Sequence, residues 1–293
     1  MGRATLGVIG GSGVYDLSLL TDVRELDDAS PWGTPSAKPI EGFIGDTRVV
    51  FLPRHGAGHR LSPSDINYRA NVDVLKRAGV TDLVSLSACG SYREELPPGT
   101  FVFVDQFIDR TFRREASFFG AGCVAHVSFS DPVAPNLVAR LARAAAAEDI
   151  PHIVGGAYVC MEGPQFSTRA ESGAYKAMGA SVVGMTNMPE AKLAREAELP
   201  YATVAMVTDY DAWRPQEEGA EVSAILAVMR ENGDKARRLL MRLADEFPEE
   251  HEACPIGSDR ALDFAIVTAP EQRDPALLAK LDAVAGRALR TQG

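Results

Sequence analysis

Seven short apolar runs, at residues 6–9, 49–52, 83–86, 101–104, 153–161, 181–185 and 202–207, punctuate a chain of 293 residues. Each has the length and unbroken hydrophobicity of a strand buried on both faces. Between several of them the apolar positions recur with helical period instead. Ile66, Ala70, Val74, Leu75 and Ala78 share one face, and Gly79 stands where a C-terminal cap belongs. Leu137, Val138, Leu141, Ala142 and Ala145 form a second such face, broken at Pro151. A third helix is expected from about Glu221 through Val222, Ile225, Leu226 and Met229, interrupted at Gly233 and ended by Pro248. Leu277, Leu281, Val284 and Ala288 predict one final helix after Asp274. The alternation predicts an α/β fold: a single layered domain over residues 1–293, with a central mixed β-sheet flanked by helices and residues 250–293 as a C-terminal extension. The stretches 213–220 and 247–257, rich in Pro, Glu and Gly, read as surface loops.

Charge and cysteine usage narrow the classes of partner. Thirty basic against forty acidic residues leave a net charge of −10, so nucleic acid and anionic membrane are not expected as partners. A small anion remains acceptable, because local geometry overrules the global sign. The four cysteines form no CxxC pair, which excludes a zinc ribbon or a thioredoxin motif. No apolar run approaches the ~20 residues of a membrane span. The N-terminal residues enter the first strand without a signal-peptide core and lack the Ser or Thr of a myristoylation signal. A reduced, cytoplasmic protein is the expectation.

Chemistry-bearing residues cluster just after the apolar runs. Gly10-Gly11-Ser12-Gly13 follows the first; glycines let the backbone approach a ligand, and Ser12 adds a hydroxyl beside N–H groups, which suits a phosphate. The run lacks the third glycine of a dinucleotide fingerprint and the Lys of a Walker loop, and a tight structural turn would have the same composition. Arg54 and His55, in Pro53-Arg54-His55-Gly56-Ala57-Gly58-His59-Arg60, offer donors to one anion; a solvated basic loop accounts for them equally well. Ser85-Leu86-Ser87-Ala88-Cys89-Gly90-Ser91 ends a third strand in small hydroxyl residues, with Cys89 a buried, inert thiol or a nucleophile.

Three further segments carry a ligand reading beside a structural one. In Met161-Glu162-Gly163-Pro164-Gln165-Phe166-Ser167-Thr168-Arg169-Ala170-Glu171, Phe166 could stack on a ring while Thr168 and Glu171 form a capping box. Thr186, between a strand and a helix opened by Pro189, could face a ligand near a helix start. Asp209 and Asp211 lie two apart, so in extended chain they point to one side and could bind a heterocycle carrying an amine and a ring nitrogen; an Asx turn is the alternative. Together these residues place donors and acids at the ends of at least five strands, where open α/β sheets gather ligands.

In order and spacing, GVIGGSG, FLPRHG, INYRAN, SACGS, MEGPQFSTRAES, GMTNMPEAKLAREAELPYA and MVTDYDAW resemble the trimeric purine nucleoside phosphorylase family, from Gly7 to about Leu243. The closest likeness is to the members that act on S-methyl-5′-thioadenosine. The resemblance implies phosphorolysis of that nucleoside to adenine and 5-methylthioribose 1-phosphate, in methionine and purine salvage. A purine nucleoside phosphorylase of broader or 6-oxopurine specificity is the alternative. It further implies a phosphate site of Ser12, Arg54, His55, Ser87, Ala88 and Thr186, with Ser at positions 12 and 87 where the family often has Thr. Met185 would line the ribose, and Asp209 and Asp211 would read N7 and the 6-amino group, Asp209 as the acid. Relatives acting on 6-oxopurines have Asn at the place of Asp209. Phe166, Ser167, Val222, Ile225 and Leu226 would set substrate choice, and His126 matches a histidine lent across a subunit boundary of a homotrimer. Catalytic roles fall on Asp209 and His55. No metal and no cofactor is implied, inorganic phosphate being a co-substrate.

Overall fold

The computed structural model describes residues 2–11, 17–214 and 222–291, with backbone alone at 17 and 222–226. Among these residues the elements run β1 (Leu6–Gly10), β2 (Thr21–Glu25), β3 (Ile40–Ile44), β4 (Thr47–Pro53), α1 (Tyr68–Arg77), β5 (Asp82–Ser91), β6 (Phe101–Phe103), β7 (Gln106–Arg110) and α2 (Pro135–Ala147). They continue with β8 (His152–Val154), β9 (Ala157–Met161), α3 (Arg169–Ala177), β10 (Ala180–Gly184), α4 (Asn187–Glu196), β11 (Tyr201–Asp209), α5 (Val222–Asp245), α6 (Pro275–Lys280) and α7 (Gly286–Thr291).

The sheet is mixed, as the sequence predicts. Its main path is β2-β3-β4-β1-β5-β10-β9-β7, with β11, β6 and β8 branching from β5. The long β5 makes the branch possible. Its first half pairs in parallel with β1, its last residues pair antiparallel with β10, and β11 follows it in parallel throughout. β1, β5, β10 and β11 are buried almost end to end, which is why apolar and small residues dominate them. Helix starts follow local chemistry. Asn67 caps α1 by accepting the Ala70 N–H, α2 opens on Pro135, and Thr168 and Glu171 form the predicted capping box of α3. In α4 regular helix begins at Pro189, because Met188 stays extended (φ −119°, ψ 133°).

Four expectations are corrected. Residues 153–161 form two strands, β8 and β9, because Gly155 and Gly156 take φ of +93° and +109° and turn the chain between them. α5 passes through Gly233 without a break, since packing along the helix outweighs the ~1 kcal/mol cost of one glycine. The final helix is two short ones, α6 and α7; Leu281, Val284 and Ala288 are still buried, the first two carried by the turns between the helices and Ala288 by α7. β2, β3 and β7 have no counterpart among the apolar runs, and β2 (TDVRE) is exposed along its whole length at the sheet edge. Of the predicted loops, 247–257 is irregular, while 215–220 lies outside the described residues.

Residues beyond 250 share the core of the sheet. Cys254, Leu262, Ala265, Leu281, Val284, Ala285 and Ala288 belong to the same buried cluster as β1 and β5. Arg287 ties this segment down through Glu198 (2.5 Å).

Candidate active site

A cavity of about 500 Å³ opens where the C-terminal ends of β4, β5, β9, β10 and β11 converge. Each strand delivers a few residues to it: Arg54 and His55 beyond β4, Ser87 to Gly90 of β5, Met161 of β9, Met185 and Thr186 beyond β10, and Asp209 of β11. Gly11, just after β1, also lines it. Ser12 lies outside the described residues.

One end collects donors. Arg54 is only 1% exposed, and its guanidinium is built into the floor. Nε donates to Glu190 Oε2 at 2.8 Å, Nη2 to Ser85 Oγ at 2.6 Å and Glu190 Oε1 at 3.2 Å, and Nη1 to the Leu86 carbonyl at 3.0 Å. Of the five N–H groups of the guanidinium, one on Nη1 has no partner among the described residues. Burial alone would lower the Arg54 pKa, but the Glu190 carboxylate overrides it and raises the pKa, so the cation persists. Ser87 Oγ lies 3.3 Å from Thr186 Oγ1 and 3.0 Å from the Tyr158 hydroxyl, so two small hydroxyls converge beside Arg54. Gly184 permits this, because a Cβ there would stand 1.8 Å from the Tyr158 hydroxyl oxygen.

His55 differs from the sequence expectation. Its Nδ1 lies 2.9 Å from the Leu61 carbonyl, and its ring stacks on His59 with centroids 4.1 Å apart. Burial, then the neighbouring Arg54 charge, pushes its pKa down to about 4. The ring is therefore neutral at pH 7, and its proton sits on Nδ1, where the carbonyl needs a donor. Nε2 is left as an acceptor, so His55 is not a second cation in this loop.

The other end is acidic. Asp209 is half-buried; its Oδ2 accepts the Thr208 hydroxyl at 2.8 Å and its Oδ1 the Asp211 N–H at 2.8 Å. Burial raises its pKa, and the nearby Asp211 charge adds to the rise. Asp211 is not the next same-side residue of an extended strand. It turns into a short 3₁₀ turn with φ +51°, so the Asx-turn reading holds and the chain folds both carboxyls onto the cavity wall. Cys89 lines the cavity between the two ends, but burial, and then Asp209, raises its thiol pKa well above the ordinary value. That is an inert thiol rather than a nucleophile.

The apolar wall comes from Met161, Pro164, Val183, Met185 and Met229 of α5, with Phe166, 82% exposed, at the edge. The side chains of Val222, Ile225 and Leu226 lie outside the described residues. Ser167 is not a lining residue; its hydroxyl donates, at 3.3 Å, to Sδ of Met161, which is part of the wall. His126 is exposed and outside the cavity, its N–H bonded to the Ala265 carbonyl at 2.9 Å. Glu190 and Arg114 carry structure that sequence reasoning missed. Arg114 donates to the carbonyls of Met185, Met188 and Glu162, each at 2.6 Å, tying the ends of β9 and β10 together. No local pattern separates Arg114 from its neighbours Arg110 and Arg113; only the fold does.

Anion donors at one end, a carboxylic acid at the other and an apolar wall between them give an α/β fold a cavity whose chemistry suits a small anion beside a planar polar ligand. The chain belongs to the phosphorylase superfamily, whose family model matches residues 5–245. It is 67% identical, over 99% of its length and 100% of the relative's, to S-methyl-5′-thioadenosine phosphorylase of Bradyrhizobium diazoefficiens. A crystal structure of methylthioadenosine phosphorylase from an antarctic soil metagenomic library superposes with a TM-score of 0.88 at 43% identity, covering 97% of this chain and 99% of that one. Methylthioadenosine phosphorylase from Schistosoma mansoni in complex with adenine gives 0.78 at 39% identity, covering 83% and 91%.

Proposed function

We propose that the protein catalyses phosphorolysis of S-methyl-5′-thioadenosine, releasing adenine and 5-methylthioribose 1-phosphate. The observation that carries this reading is the polarity of one cavity: Arg54, Ser87 and Thr186 at one end, and Asp209, with its pKa raised by burial, at the other. The relatives named above supply the substrate.

In this reading phosphate sits on the Arg54 N–H, the Ser87 and Thr186 hydroxyls and the N–H groups near Ser12 and Ala88. Neutral His55 accepts a hydrogen bond from a phosphate hydroxyl at Nε2. The bound phosphate attacks C1′ as the C–N bond breaks, and its charge offsets the positive charge that develops on the sugar. Asp209 donates its proton to N7 of the leaving adenine; the raised pKa keeps that proton available toward neutral pH. Asp211 accepts from the 6-amino group. Met185 packs on the ribose, and Phe166, Ser167 and the α5 residues Val222, Ile225 and Leu226 shape substrate choice around the methylthio end. Met229, on the same helix, lines the cavity. Burying a thiomethyl rather than a hydroxyl there favours the substrate by about 1–2 kcal/mol, a preference and not an exclusion. The steps call on no metal or organic cofactor.

The chain acts as one catalytic unit, residues 250–293 included, and as a homotrimer in the cytoplasm, in methionine and purine salvage. Supporting the trimer, exposed His126 lies beside a bridge between Ala125 and Ile266, next to exposed Val124, Phe264 (98% exposed) and Val267. Among the described residues no helix is long and apolar enough to cross a membrane.

Adenine release with and without phosphate tests the reading. Release should require phosphate and yield the sugar 1-phosphate. Equal turnover in phosphate-free buffer would make the enzyme a hydrolase and overturn the anion end of the site.

A further inference from the structure

Asp211 is held more tightly than its position in a turn requires. Its Oδ2 accepts two hydrogen bonds, from the Tyr92 hydroxyl at 2.9 Å and the Ser172 hydroxyl at 2.7 Å. Its Oδ1 has no hydrogen-bond partner among the described residues, and the residue lines the cavity. Both donors are buried and come from different elements. Tyr92 follows β5 and is 1% exposed, with its N–H bonded to the Ser181 carbonyl; Ser172 lies in α3. The turn itself is anchored by Trp213, whose Nε1 donates to the Ser91 carbonyl at 2.6 Å. Asp211 reaches this place with φ +51°, a conformation that costs free energy in a non-glycine residue. Two buried hydroxyls and a strained backbone are therefore committed to one carboxylate oxygen. A carboxylate free to turn about its Cβ–Cγ bond would exchange its oxygens; two donors on Oδ2 stop that exchange.

We propose that Tyr92 is a specificity-setting positioning residue: with Ser172 it locks Asp211 so that a single acceptor oxygen, Oδ1, is presented to the base. This rests on the proposed function, in which Asp211 meets the exocyclic group of the purine. A 6-amino group brings an N–H to that oxygen. A 6-oxo group brings a second acceptor, and the two oxygens face each other with neither satisfied. With Oδ2 held by two donors, the carboxylate cannot swing Oδ1 away from the opposing oxygen, and turning it would only offer another acceptor. Tyr92 thus acts on base choice without touching the base.

Tyr92→Phe removes the hydroxyl and keeps the buried ring; Ser172→Ala removes the second donor. The measurement is kcat/KM for methylthioadenosine and methylthioinosine, with adenosine as a control for the sugar end. In Tyr92→Phe the amino-to-oxo ratio should fall about tenfold, through KM for methylthioadenosine more than through kcat, as expected for loss of one hydrogen bond to a charged acceptor. The double variant should fall further. The methylthioadenosine-to-adenosine ratio should stay within about twofold. An unchanged amino-to-oxo ratio in Tyr92→Phe overturns the inference. So does a parallel change in both ratios, which would mean a general structural role. A wild-type enzyme with no preference for the amino base would instead overturn the base reading from which the inference starts.

Discussion

Replacing Asp209 by Asn separates the chemistry of the acidic end from its architecture. Asp209 accepts one hydrogen bond at each oxygen, from the fixed N–H of Asp211 and from the hydroxyl of Thr208, both at 2.8 Å. In the Asn variant the amide oxygen must stay on the backbone donor, so the NH₂ faces Thr208. The Thr208 hydroxyl can rotate to accept from it while donating to the Cys89 carbonyl, 3.2 Å away. Folding therefore loses little. It can even gain, because burial raises the Asp209 pKa above its ordinary value of 3.8 and ionising the native carboxyl is costly. The native state holds that proton to higher pH than the unfolded chain, so stability falls as pH rises through this window, and Asn removes the penalty.

The catalytic loss is of another size. An amide can still hydrogen-bond N7 but cannot transfer a proton, and loss of a general acid costs about 10²–10⁴ in rate, or roughly 2.7–5.5 kcal/mol of barrier. Adenine release should fall in that range while the melting temperature moves by no more than about 3 °C. The wild-type decline in kcat as pH rises through the Asp209 pKa should flatten in the variant. Retention of more than a tenth of the wild-type rate would refute Asp209 as the acid. A collapse in melting temperature would show that the residue serves the fold instead.

Three other outcomes follow from named groups. Glu190→Gln leaves the fully buried Arg54 cation without its counter-charge, a loss of about 3–5 kcal/mol; calorimetry should show a clearly lower melting temperature, together with a raised KM for phosphate, and an unchanged midpoint would contradict the pairing. His55, with its pKa near 4, does not titrate between pH 5.5 and 8. The KM for phosphate, once phosphate's own ionisation is allowed for, should be flat there, and a limb near pH 6.5 that vanished in His55→Gln would refute neutrality. At the far end of β5, hydrogen bonding to Asp82 (3.1 Å) raises the pKa of His251 above 6.5. Its contribution to stability is complete below pH 6.5 and is lost as pH rises through the folded pKa, so His251→Asn should remove part of the stability decline over that window.

The sequence alone determined the α/β class, because strands buried on both faces must be dominated by apolar and small residues and helices must carry period 3.6. It also placed most of the cavity's polar residues at strand ends, although each motif alone read as well as a turn or a solvated loop, and only their joint position after several strands pointed to a ligand. Edge strands escaped it: β2 buries neither face, so composition has nothing to mark. The tertiary structure decided every pairing between distant residues. Arg54 meets Glu190 across 136 positions, and Tyr92 meets Asp211 across 119. It also turned His55 from an expected donor into a neutral acceptor at Nε2, because desolvation depends on what packs around a ring. Asp211 shows the same division within one residue. Its identity announces a ligand or a turn, and only the hydroxyls brought to it by β5 and α3 decide which oxygen is left to act.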